Sequence, residues 1–170
     1  MTQSEETSAI WNYYKPRHTH AWNMLILAFR QLEQEEISAE PFKAEYAWEN
    51  VIIRLWLYRT VIRTLSKLPP IKEEAEKVLR SFDKAFDHRG INGLKALRDM
   101  IEHFDDYAAN KGRGPAKRAS DLNPWRKITR DEYDRGQFNI NREKALLAAD
   151  QMRLDAKQVS AKFIKWYLAQ

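Results

Sequence analysis

The stretch between Pro41 and the pair Pro69-Pro70 limits most what this chain can fold into. From Phe42 to Leu68 the apolar residues Tyr46, Val51, Ile52, Ile53, Leu55, Trp56, Leu57, Val61, Ile62 and Leu65 recur at helical spacing, over much more than one stripe. A helix that is apolar round most of its circumference has to be covered on several sides, so this segment is expected to be the central helix of a bundle. The proline pair closes it, because proline lacks the N–H and clashes with the preceding turn.

Four further helices are expected round it. Trp22, Leu25, Ala28, Phe29 and Leu32 predict a helix over 18–37, with Pro16 at its start, where a missing N–H does no harm. Ala75, Val78, Leu79, Phe82 and Phe86 share one face of a helix over 71–87, broken by His88-Arg89-Gly90. Asn92 is the expected N-cap of a helix over 93–109. The last, over 141–168, turns Leu146, Ala149, Met152, Val159, Phe163 and Trp166 inward. Between the last two lies a glycine- and proline-bearing loop over 110–140, in which Gln137 to Ile140 is a candidate strand pairing near Trp125 to Thr129. The expected fold class is therefore all-α: a four- or five-helix bundle whose long loop before the C-terminal helix has room for a short β-hairpin.

Size and composition fit one domain over 1–170. With 170 residues and 20.2 kDa, a chain buries about 70% of its unfolded surface, enough for one sizeable core. Without cysteine there is no disulfide, thiolate metal site or thiol nucleophile. Met1 to Ile10 has no apolar signal-peptide core, and no apolar run nears the ~20 residues of a membrane span. A soluble cytoplasmic protein that does not enter membranes is expected.

The net charge of +5 is unevenly spread. Lys111, Arg113, Lys117, Arg118, Arg126, Lys127 and Arg130 face a single acid, Asp121, between positions 111 and 130, so the rest of the chain is close to neutral. Six glutamates against one lysine crowd the stretch from Gln31 to Asn50. A local basic loop is either a solvated surface or a phosphate footprint, and Lys111, Arg113, Lys117 and Arg118 are the candidates for the latter. Trp125 and Tyr133 either stack on unpaired bases or tie the loop to the bundle.

The fourth helix holds the chemistry. At 100° per residue, Leu94, Leu97, Ile101, Phe104 and Ala108 define a core direction, and His103 falls roughly 130° away from it. Asp99 and Asp106 flank that histidine, Arg98 lies on the shoulder between core and acidic face, and Met100 and Tyr107 form an apolar shoulder opposite. A histidine beside exposed apolar groups suggests a second protein surface, most simply a partner copy. The ordinary alternative is a solvated face in which Arg98 pairs with Glu102 and Asp99 with His103. A metal site from Asp99, His103 and Asp106 is disfavoured, since three ligands on one helix at those spacings do not converge, and nothing places His18 or His20 beside them.

The run Arg98-Asp-Met-Ile-Glu-His103 resembles the signature of the HEPN superfamily (higher eukaryotes and prokaryotes nucleotide-binding domains), in which arginine, usually followed by Asn, Asp or His, precedes a histidine four to six residues on. By motif the resemblance covers about Leu94 to Gly114, and by architecture the whole bundle. It implies a homodimer that brings two motif helices into one cleft. Many such proteins are metal-independent endoribonucleases acting as toxins or in phage defence, sometimes with an antitoxin partner. Carried over, Arg98 would hold the scissile phosphate, His103 would move protons and Asp99 would orient one of them. The residue types suit the work: RNA supplies its own nucleophile, histidine titrates near neutrality and guanidinium binds phosphate bidentately. No cofactor is then required. Other members of the family are noncatalytic, so a helical dimerisation or protein-interaction module is the alternative expectation.

Overall fold

A computed structural model describes residues 3–34, 40–88, 91–103, 106, 111, 127–135 and 138–169. Among these, five α-helices carry the fold: α1 (Gln3–Leu32), α2 (Pro41–Arg63), α3 (Lys72–Ala85), α4 (Gly93–Glu102) and α5 (Arg142–Tyr167). Two 3₁₀ turns, Thr64–Lys67 and Pro69–Ile71, join α2 to α3. Strands β1 (Asp87–His88) and β2 (Ile91–Asn92) form one antiparallel pair, and β3 (Glu132–Asp134) and β4 (Asn139–Asn141) another. The all-α class is as expected, with a β-hairpin before the C-terminal helix.

Helix α2 is the central element. Ala44, Ala47, Trp48, Val51, Ile52, Leu55, Tyr58 and Ile62 are fully or almost fully buried, and they point in too many directions for one neighbour to cover. Helix α1 covers one side, α4 another, and α3 packs against both α2 and α5. Arg59 of α2 is clamped to Asp83 of α3 through two guanidinium nitrogens, tying those helices together.

Helix α1 differs from expectation. It begins at Gln3 and carries Pro16 in its interior, rather than starting beyond it. The reason is that the inward stripe Tyr14, His18, Ala21, Leu25, Ala28, Leu32 runs at spacings of four and three straight through the proline. Pro16 itself lies on the solvent side, as does Asn12, the residue whose carbonyl loses its helical donor. That carbonyl is on the exposed side, where solvent can reach it, while Trp11 packs on Phe163 of α5 at 4.9 Å and on Tyr14 at 5.7 Å. Packing thus outweighs a local penalty.

Three smaller differences concern short elements. The second helix turns 3₁₀ after Arg63 instead of running to Leu68. At positions 87–92, where only a helix break was expected, β1 and β2 form a hairpin, closed by the Gly93 amide donating to the Phe86 carbonyl at 2.9 Å. The strand ending near Ile140 pairs with Glu132–Asp134, and it is this partner strand, not the one ending near Ile140, that meets the expected segment, through the bridge between Ile128 and Tyr133. Asn141 ends β4 and caps α5, its side chain accepting from the Lys144 amide at 3.1 Å.

That second hairpin is moored to the bundle. Trp48 donates its indole N–H to the Thr129 carbonyl at 2.6 Å, and its ring meets the fully buried Tyr133 ring. Arg135, buried against Tyr133, pairs with Glu45 of α2. Trp48→Phe keeps most of the ring volume but leaves the carbonyl without its donor. Urea unfolding should show a loss of about 1–2 kcal/mol; an unchanged midpoint would mean that the indole bond does not hold the hairpin.

His18 is the one half-buried histidine facing α2 and α5. Its Nε2 lies 3.0 Å from the Tyr58 hydroxyl, and its ring packs on Tyr14 and Tyr58. Burial, with Lys157 and Arg153 of α5 adding to it, lowers its pKa below the ordinary value. The unfolded chain therefore takes up this proton first as pH falls. Stability from His18 is complete above about pH 6.5 and is lost on acidification below that. The denaturation midpoint of His18→Gln, followed between about pH 7.5 and 5, should fall less steeply than that of the natural chain; parallel curves would show that His18 is not the titrating group.

Candidate functional site on the fourth helix

Helix α4 buries Gly93, Leu94, Ala96, Leu97 and Met100. Leu94 and Leu97 are as expected, but Met100 is in the core rather than on an exposed shoulder. The inward direction is rotated toward it, with Gly93 and Ala96 also buried where α4 packs on α2 beside the β1–β2 hairpin. The rotation brings His103 partway in, so it is half-buried at the turn that follows the helix. Phe104, Asp105, Tyr107 and Ala108 lie outside the described residues, as does the rest of the expected helix to position 109 apart from Asp106.

Arg98 is the best-defined charged group of the motif. Its guanidinium donates to Asp99 Oδ1 at 2.7 Å and contacts the Glu102 carboxylate one turn on. It also lies over the Trp56 ring of α2, 5.7 Å from the centroid, and Arg59 approaches the same ring at 5.2 Å. Burial alone pulls the Arg98 pKa down, but the bonds to Asp99 and Glu102 outweigh it and hold the group above its ordinary value. Arg98 is thus permanently charged and fixed in direction. Its Nε is buried and has no partner.

Asp99 sends its carboxylate to Arg98, while its backbone carbonyl accepts from the His103 amide at 3.0 Å. Of the two ordinary pairings expected from spacing, Arg98 with Glu102 is present, and Asp99 turns to its neighbour Arg98. Around one turn, Arg98 and His103 point in directions roughly 140° apart. The structure therefore brings Arg98, Asp99 and Glu102 together and sets His103 on a different side of the same helix end.

Of the basic loop, Lys111 is described: it is exposed, and its amide donates to the Asp106 carbonyl at 2.7 Å. The start of the basic segment is thereby tied to the tip of the motif helix. Arg113, Lys117, Arg118 and Trp125 lie outside the described residues. Tyr133 is fully buried against Trp48, so of its two expected roles it fills the one that ties the loop to the bundle. Trp56, the platform beneath Arg98, was missed by sequence reasoning, which counted it only as core. Its signal was an aromatic ring on the solvent-side stripe of α2, together with Tyr46 and Ile53.

Among the described residues, no three His, Asp or Glu side chains gather as a metal-ligand set, and no helix is long and apolar enough to cross a membrane. No family model, curated protein or solved structure matches the chain.

Proposed function

We propose that the chain is a metal-independent endoribonuclease of HEPN type, acting as a homodimer with Arg98 and His103 of both copies lining one cleft. The observation that carries this reading is the bond from Arg98 to Asp99. The polar residue after the arginine holds the guanidinium rigidly at the end of the helix that His103 terminates. The tie between Lys111 and Asp106 adds to it, by starting the basic segment where an RNA backbone would enter.

In the proposed reaction the RNA 2′-OH attacks the adjacent phosphorus and gives its proton to a neutral His103. The bond to the 5′-oxygen breaks, and that oxygen takes a proton from a protonated His103. The products are a 2′,3′-cyclic phosphate and a 5′-hydroxyl end. Two histidines in opposite protonation states suit a two-fold cleft, where each copy supplies one. Arg98 stabilises the charge that grows on the non-bridging oxygens. Because one chain sets Arg98 and His103 on different sides of α4, the Arg98 of one copy is offered as the partner of the other copy's histidine.

A second reading is favoured by the Glu102 contact. Arg98 already meets two carboxylates, and Asp106 adds a third at the same helix end, so the face is set up to receive a cationic protein partner. Cleavage in EDTA separates the two. The ribonuclease reading expects activity to survive chelation and to fall by about 10²-fold or more in His103→Ala and Arg98→Ala, with the dimer intact. A folded dimer that cuts none of several RNAs would select the interaction module. Under the first reading, Lys117→Ala with Arg118→Ala should reduce the slope of log affinity against log salt by about 1.4, as for two lost contacts to a single strand. An unchanged slope would remove the loop from RNA binding.

A further inference from the structure

One turn beyond Trp56, the outer side of α2 runs into a groove that the cleavage chemistry does not use. Ala9, Ile10 and Tyr13 of α1 form one wall, and Thr60, Arg63, Thr64 and Lys67 form the other, on either side of an open groove of about 450 Å³. That is within the range of small-molecule sites. The two walls differ in chemistry. The α1 wall is apolar and aromatic, with Tyr13 53% exposed. The other wall, made by the last turn of α2 and the 3₁₀ turn that follows it, alternates hydroxyls and cations along Thr60, Arg63, Thr64 and Lys67.

The cations of this wall are uncommitted. Arg63 and Lys67 are exposed, and neither has a carboxylate partner among the described residues. This contrasts with Arg59, Arg98, Arg135 and Arg153, each of which is paired. Thr60 spends its hydrogen on the Trp56 carbonyl at 2.9 Å, which leaves Thr64 as the hydroxyl able to donate into the groove. Arg17 lies over the Tyr13 ring at 5.0 Å, steadying it and placing a third positive charge beside the groove.

We propose that this groove binds a nucleoside monophosphate unit, with the base against Tyr13 and the phosphate on Arg63, Thr64 and Lys67. The occupant must carry a flat apolar face at one end and a multiply accepting anion at the other, since the walls offer those complements side by side. Phosphate matches a guanidinium, an ammonium and a hydroxyl arranged along one face, and a base matches an exposed phenol ring. An acidic peptide would neutralise the cations and leave the Tyr13 ring unused. The unit is either a free nucleotide or one residue of an RNA strand lying along α2 toward Trp56. Neither alternative requires that the chain cut RNA.

The test uses two probes that the proposed chemistry does not cleave: AMP, and a labelled oligodeoxyadenylate, which lacks the 2′-OH. Both are titrated into the full chain and into two variants at exposed positions, Arg63→Ala with Lys67→Ala, and Tyr13→Leu, with circular dichroism to confirm folding. Saturable AMP binding, weakened at least about tenfold by the double variant and several-fold by Tyr13→Leu, is expected. If the oligonucleotide loses affinity in parallel, the source is a strand; if only AMP does, it is a free nucleotide. The proposal is overturned if the folded chain binds neither probe, or if both variants bind as the natural chain does. A glutamate peptide bound as tightly as AMP, with no dependence on Tyr13, also overturns it and gives the groove to an acidic segment. Loss of cleavage in His103→Ala bears on none of these outcomes, so the groove and the cleavage site stand or fall separately.

Discussion

A helix that is apolar on nearly every side cannot exist alone in water, and the architecture here is the set of covers that α2 needs. Val51, Ile52, Leu55, Tyr58 and Ile62 leave no accessible surface. At roughly 1.5–3 kcal/mol for each large side chain withdrawn from water, this one element supplies much of the drive for collapse. The cover on each side differs in kind. Helix α1 gives an aliphatic and aromatic stripe, α3 a clamp between Arg59 and Asp83, and the β3–β4 hairpin an indole bond and a buried tyrosine. The remaining side is covered by α4, whose buried Leu94, Leu97 and Met100 give way to charged groups at its end.

On that side Trp56 bridges fold and site. Its ring is half-buried, and guanidinium groups from α2 and α4 both lie against it. Arg98 is therefore held by an aromatic face as well as by carboxylates, so its position is set before any ligand arrives. Such preorganisation suits the recognition of an anion, because less side-chain entropy is lost on binding. The same carboxylates repel a polyanion, and the basic segment beginning at Lys111 carries the opposite charge. The electrostatics of the helix end thus depends on which of the two meets the incoming partner first.

The helices were legible where apolar residues recur at three and four, as in α2, α3 and α5. Helix α1 was cut short because a proline was read as a boundary, and a single sequence does not say which side of a helix faces water at that point. The hairpins were partly hidden: strands of two and three residues are too short to show a period, and their pairing is set by tertiary contact. Arg98 with Glu102 followed from spacing alone, whereas Trp56 beneath Arg98 and the burial of Met100 depended on how α4 is rotated against α2. Tyr133 shows the same limit, since an aromatic residue in a basic loop looks alike whether it faces solvent or the core. The wall of Thr60, Arg63, Thr64 and Lys67 has the composition of any polar helix end, and only its position opposite Tyr13 distinguishes it.

Pro16 has an effect on motion as well as on shape. With one backbone donor missing, the turns ahead of it are joined to the rest of α1 by a weaker ladder than any other part of that helix. Ala9, Ile10 and Tyr13 sit on those turns, while the opposite wall of their groove belongs to the end of the central helix and the 3₁₀ turn after it. The segment before the proline is therefore the natural unit of local opening, able to separate at a lower free energy than the bundle unfolds. The groove is consequently built from two jaws of unequal stiffness, and a change in its width is felt in the core through Trp11 and Tyr14, which ride on the more compliant one.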